Sequence, residues 1–160
     1  MSAHRAIIEW ERGQQDFTDG KYGRGHRWTF DGGATVPASS SPAVVPVPYS
    51  DAAGVDPEEA YVAALSSCHM LWFLDLAARQ GYRVDRYRDE AAGHMARDER
   101  GKSWIDRVEL RPHVVFSGTR LPDPAAAAQL HHVAHEKCFI ANSVRSQVDV
   151  QPSFEWPPAS

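Results

Sequence analysis

The stretch Asp56-Pro57-Glu58-Glu59-Ala60-Tyr61-Val62-Ala63-Ala64-Leu65-Ser66-Ser67-Cys68-His69-Met70-Leu71-Trp72-Phe73-Leu74-Asp75-Leu76-Ala77-Ala78-Arg79-Gln80-Gly81 carries the local signals of one long helix. Asp56 is a good N-cap, because its side chain can accept an otherwise unpaired N–H of the first turn. Pro57 suits the first helical position, where a missing N–H costs nothing. Glu58 and Glu59 favour the positive end of the helix dipole, and Glu59 follows Asp56 at the capping-box spacing. Gly81 supplies the stop, so the helix is expected to run to about Gln80. It is apolar on more than one face, through Tyr61, Val62, Leu65, Met70, Leu71, Trp72, Phe73, Leu74 and Leu76. That pattern predicts a central, buried helix. Cys68 falls in its middle, on the stripe Tyr61, Leu65, Cys68, Trp72, Leu76.

Upstream, Arg5–Trp10 reads as a short strand and Phe17–Arg24 as turn-rich, with Gly20, Gly23 and Gly25 loosening the backbone. His26–Phe30 reads as a second strand, ended by the hairpin signal Asp31-Gly32-Gly33. Val36–Asp56 holds Pro37, Pro42, Pro46 and Pro48. Prolines at that density predict a long loop without regular structure. Downstream, Tyr82–His94, Trp104–Leu110 and Arg111–Phe116 alternate like strands, with Asp98–Gly101 a polar turn. Leu121-Pro122-Asp123-Pro124 opens a second helix, from Ala125 to about Cys138. Ser143–Phe154 reads as a final strand. Runs of strands set apart from helices predict an α+β fold, in one domain over residues 1–160.

The 160 residues are 42% hydrophobic and 24% charged, which argues against disorder of the whole chain. A formal net charge of -4 gives no basic footprint for nucleic acid. No segment reads as a membrane span. Met1–Trp10 carries His4, Arg5 and Glu9 and lacks the apolar core of a signal peptide. The expectation is a cytoplasmic protein with neither nucleic-acid nor membrane partners.

Two cysteines remain, Cys68 and Cys138. In a reducing compartment a permanent disulfide is the less expected use. Free cysteine is commonly a small buried hydrophobe, so two inert thiols stand beside a catalytic pair. A thiol turns nucleophilic where positive charge or hydrogen bonds stabilise its thiolate. The candidate cations are Arg24, His26 and Arg27, and Glu58 could hold such an arginine. Glu58 and Cys68 are ten residues apart, roughly 15 Å of helical rise. One straight helix cannot bring them together, so a shared site requires the chain to fold back or a second subunit to contribute. A further cluster is His131, His135 and Cys138, at offsets of four and three on one helical face. It could ligate zinc, or be a helix end whose histidines complement the dipole. The latter is favoured, since no carboxylate or CxxC motif completes the set. Trp10, Trp28 and Trp104 are expected in the core or at a subunit contact.

The motifs Asp56-Pro57-Glu58-Glu59-Ala60, Ala63-Ala64-Leu65-Ser66-Ser67-Cys68-His69 and Ala134-His135-Glu136-Lys137-Cys138, with Asn142 downstream, resemble the OsmC/Ohr family of organic-hydroperoxide reductases. The resemblance covers most of the chain in element order. It implies antiparallel sheets wrapped around two central helices in an intertwined homodimer, with the site at the interface. It implies attack of the Cys68 thiolate on a peroxide, with the acidic Glu58 and an arginine assisting. Cys138 then condenses with the sulfenic acid to form a disulfide. A dithiol, such as a lipoylated protein, restores the thiols. No metal, haem or flavin is implied.

Two departures mark a divergent subgroup. The loop Val36–Asp56 contains no arginine, which leaves Arg24 as first choice and Arg27 as second. Phe139 stands where the family usually has proline after its second cysteine. Two other readings stay open: a metal- or small-molecule-binding protein on this fold, using His131, His135 and Cys138, and an interaction protein with inert cysteines.

Overall fold

The computed structural model describes residues 2–157 and divides into two compact units, one up to residue 60 and one from residue 61. In the first, β1 (Ala6–Glu9), β2 (His26–Phe30) and β3 (Thr35–Ala38) form an antiparallel sheet in the order β1-β2-β3. Asp31-Gly32-Gly33 makes the β2–β3 turn. Gly33 adopts φ +86° there, a conformation that side chains with a Cβ resist.

The predicted loop therefore begins later than expected, because Thr35–Ala38 is a strand despite Pro37. β3 lies at the sheet edge, where a residue without an N–H is tolerated. The rest of the loop is tied at both ends. The Val55 N–H donates to the Pro37 carbonyl and the Ser39 N–H to the Val55 carbonyl, each at 3.0 Å. This closure needs Gly54, since a Cβ there would lie 2.9 Å from the Ala38 carbonyl carbon.

The long helix α1 (Pro57–Arg79) begins with the expected capping box. The Glu59 N–H donates to Asp56 Oδ1 at 2.8 Å, and the Asp56 N–H donates back to Glu59 Oε2 at 3.3 Å. By length and composition α1 is also apolar enough to cross a membrane, which corrects the expectation that no segment would be. The same apolar character serves packing. Its buried residues are Leu65, His69, Phe73 and Ala77, at a spacing of four. The buried stripe thus runs through His69, while Cys68 is only half-buried.

The second unit holds two further sheets, β4-β7-β9 and β5-β6-β8. Their strands are β4 (Arg83–Asp89), β5 (Ala92–Arg97), β6 (Ser103–Leu110), β7 (Pro112–Ser117), β8 (Gln147–Val150) and β9 (Ser153–Glu155). β4–β7 and β5–β6 are antiparallel, but β6–β8 and β7–β9 are parallel. The sheets are mixed rather than antiparallel, because the chain returns to them after α2 (Pro124–Lys137). Two predicted strands are also split. Tyr82–His94 becomes β4 and β5, and Ser143–Phe154 becomes a 3-10 turn (Ala141–Ser143), β8 and β9. In the second case Pro152 interrupts, and the Gln151 N–H goes to the Leu110 carbonyl at 2.8 Å. Phe73, Ala77, Val114, Phe116, Ala127, Leu130 and Ala134 form the main core. Burying a side chain such as Phe73 contributes about 2–3 kcal/mol by area removed from water.

Candidate functional site

Cys138 is set at the end of α2 by local geometry. Asp123 caps the start of this helix, accepting the Ala126 N–H at 2.7 Å, and Pro124 occupies its first turn. At the other end Cys138 leaves helical geometry, at φ -65° and ψ 110°. Its N–H donates to the His135 carbonyl at 3.2 Å, and its carbonyl accepts from the Asn142 N–H at 3.0 Å. The Asn142 side-chain amide donates to the Glu136 carbonyl at 2.9 Å. The Ala141 N–H points at Cys138 Sγ, 3.3 Å away.

Cys138 is 1% exposed, and burial pushes its thiol up to about 11. The neighbouring Cys68 thiol adds to the shift, while the N–H of Ala141 works against it. The two sulfurs therefore adjoin, and Cys138 is held as the neutral thiol at pH 7. Cys68 lines a cavity of about 570 Å³ together with Ser67, Leu71, Trp72, Phe139 and Ile140. Trp72 meets Phe139 edge-on at 5.5 Å between ring centroids. The wall is mostly apolar apart from the Asp75–Arg79 ion pair, 2.8 Å long, and Cys138 is not part of it.

Arg24 and Glu58 line a separate cavity of about 460 Å³ in the first unit, with Trp10, Phe17, Tyr22 and His26. The Arg24 guanidinium sits 3.8 Å over the Tyr22 ring. Its Nη1 donates to the carbonyls of Gly20, at 3.1 Å, and Tyr22. Trp10, Phe17 and Tyr22 pack with centroids 4.6–5.7 Å apart. Arg24 and Glu58 share this cavity without an ion pair between them, among the described residues. Arg27 is exposed and is not part of the cavity lining. Trp10 belongs to the cavity wall and is 37% exposed, which sets aside the core half of its expected placement.

The histidine helix has another use than the one its spacing suggested. His131 Nδ1 lies 2.9 Å from His69 Nε2, with the rings nearly coplanar in orientation at 4°. Phe73 stacks on His131 at 4.2 Å. Burial lowers His69 to about 4, with His135 adding to the effect. Burial lowers His131 to about 3, with His69 adding. Both rings are neutral at pH 7, so one donates to the other's lone pair. The nearby Tyr87 phenol is raised by burial and then by Asp89. Among the described residues no group of three or more His, Cys, Asp or Glu is gathered to hold a metal. The ligand set His131, His135 and Cys138 is not formed, because His131 faces His69 and Cys138 faces Cys68.

The aromatic wall beside Arg24 and the His69–His131 pair were not anticipated. The four-residue spacing Leu65-His69-Phe73-Ala77 was the signal available for His69. No comparable period marks Trp10, Phe17 and Tyr22, which come together through a loop.

Residues 50–153 match the family described as OsmC-like protein. No curated protein matches the sequence. Among solved structures, an OsmC-like protein of unknown function from Vibrio cholerae is 54% identical, with a TM-score of 0.93 over 95% of this chain and 99% of that one. An organic hydroperoxide resistance protein OsmC from Legionella pneumophila has 16% identity and a TM-score of 0.65 over 97% and 98% of the two chains. The organic hydroperoxide resistance protein OhrB of Bacillus subtilis has 20% identity and a TM-score of 0.60 over 96% and 98%. The two more distant relatives share the fold. The profile match spans well over half of the sequence and takes in both cysteines of the adjoining pair, and on that ground the chain belongs to the OsmC-like family.

Proposed function

We propose that this protein is a cysteine-based reductase of organic hydroperoxides. The observation that carries the reading is the adjoining pair of Cys68, on the cavity wall, and Cys138, sealed behind it as a neutral thiol. The Cys68 thiolate attacks the terminal oxygen of the peroxide. An S–O bond forms, the O–O bond breaks, and the alkoxide takes up a proton and leaves as the alcohol. The sulfur, oxidised by two electrons, is now a sulfenic acid. Cys138 loses its proton, attacks that sulfur and displaces water, which forms the disulfide. An external dithiol, for which a lipoylated protein is suitable, reduces it by exchange and is itself oxidised. No metal or organic cofactor enters these steps.

Arg24 and Glu58 are assigned to the same reaction. A guanidinium favours the thiolate over the thiol and can donate to the peroxide oxygens. Ten helical residues separate Glu58 from Cys68, so in this reading Arg24 and Glu58 of one copy serve Cys68 of another in a homodimer. Exposed apolar residues on β1, Ile7 and Ile8, each 59% exposed, are consistent with a partner chain. The reading includes a cytoplasmic setting, where dithiol reductants are available.

The test is consumption of cumene hydroperoxide and hydrogen peroxide by wild type and Cys68→Ser, with dihydrolipoamide as reductant. Turnover that prefers the organic peroxide and vanishes in Cys68→Ser is expected. Unchanged turnover in the variant would end the proposal.

A further inference from the structure

Arg24 lies between Gly23 and Gly25. Glycines on both sides give this backbone wide φ/ψ freedom, so the direction of the arginine must be imposed by anchors elsewhere. The Arg24 N–H donates to the Tyr49 carbonyl at 2.9 Å. Gly23 is held on both sides, its N–H donating to Gln15 Oε1 at 2.6 Å and its carbonyl accepting the Trp10 indole N–H at 2.9 Å. Besides the guanidinium's own contacts with the Gly20 and Tyr22 carbonyls and the Tyr22 ring, the remaining link is the Arg24 carbonyl, 2.8 Å from His26 Nδ1.

His26 is itself held. It stands two residues from Trp28 on β2, so both side chains project from one face of the sheet. The Trp28 indole N–H donates to His26 Nε2 at 2.9 Å. An indole nitrogen only donates and a carbonyl oxygen only accepts. Nε2 must therefore carry the lone pair and Nδ1 the proton. One tautomer satisfies both contacts, and the other satisfies neither.

We propose that His26 is a positioning residue: locked by Trp28 as the Nδ1–H tautomer, it fixes the Arg24 carbonyl and thereby aims the guanidinium for the peroxide step. This rests on the role assigned to Arg24 above. His26 exchanges no proton with the substrate. Its contribution is to the oxidation of Cys68 and not to the later reduction of the disulfide.

Nitrogen-detected imidazole NMR of the wild-type protein at neutral pH reads the tautomer directly. Nδ1–H is expected, and Nε2–H would overturn the proposal. Single-turnover kinetics give the second test. His26→Phe is expected to slow oxidation of Cys68 by cumene hydroperoxide about tenfold, with disulfide reduction by dihydrolipoamide unchanged. Trp28→Phe, which only unlocks the ring, is expected to slow oxidation about threefold. In an Arg24→Met background, His26→Phe should add less than about twofold, because residues that act through one another are not additive. An equal loss in both backgrounds, or equal slowing of both half-reactions, would make His26 a support of the fold alone. Arg24→Met at the wild-type oxidation rate would instead remove the role of Arg24, and this variant reports that failure separately.

Discussion

Cys68 and His69 are consecutive on α1 and have opposite surroundings. The helix turns about 100° between them. Cys68 reaches a cavity of about 570 Å³, where Leu71 is 60% exposed. His69 is 1% exposed and meets His131 and the core around Phe73. The comparison teaches what decides whether a titratable group is available for chemistry. On the cavity side a sulfur can meet a ligand. On the core side the loss of hydration holds two imidazoles neutral, and their hydrogen bond is to each other.

The largest expected effect of a single substitution lies on the core side. Phe73→Ala should cost about 3–5 kcal/mol of unfolding free energy in urea, since the ring is fully buried against His131, Phe116 and Tyr87. A loss under about 1 kcal/mol would break the contrast between the two sides.

Acid should act next. His69 and His131 are lowered in the folded protein to about 4 and about 3, so below the ordinary imidazole value near 6.5 the unfolded chain binds more protons. Stability from this source is complete above about pH 6.5, falls as the pH drops toward 4, and levels below 3. His69 alone accounts for about 3 kcal/mol on this argument. Melting temperatures between pH 7 and pH 4 check it. A flat profile would mean that water reaches the pair.

The smallest effect is expected on the cavity side. Leu71→Ala should change stability by less than about 1 kcal/mol, because the side chain is mostly exposed in the single chain. A loss above about 2 kcal/mol in the same urea titration would show that another chain covers this side.

Much of the fold was legible. The capping box Asp56–Glu59 and the stop at Gly81 bounded α1, and Asp123-Pro124 started α2 as expected. What failed has identifiable causes. Because α1 is apolar on nearly every side, its periodicity could not choose the buried stripe, and Cys68 was placed where His69 belongs. The spacing of His131, His135 and Cys138 is the same for a metal-binding face and for a core face. Pro37 argued against a strand, but an edge position removes the objection. The split of Ser143–Phe154 depended on which sheet each half joins, and that is a long-range matter. For the candidate site, the sequence offered Cys68, Cys138, Arg24 and Glu58, of which Arg24 and Glu58 line one cavity and Cys68 another. The cavity shared by Arg24 and Glu58 was not visible there, since the loop carrying Trp10, Phe17 and Tyr22 has no repeating pattern.

The two parallel pairings have a consequence for how the chain is made. Arg107 of β6 registers with Gln147, and His113 of β7 with Ser153. Each sheet of the second unit therefore waits for a strand translated well after its neighbours. Such non-local closure slows folding compared with local hairpins. Until residues 147–155 leave the ribosome, β6 and β7 each offer an unpaired edge, and strand edges of that kind invite association between nascent chains. Two strands of four and three residues thus cover the edges of β6 and β7 and complete the two sheets of the second unit.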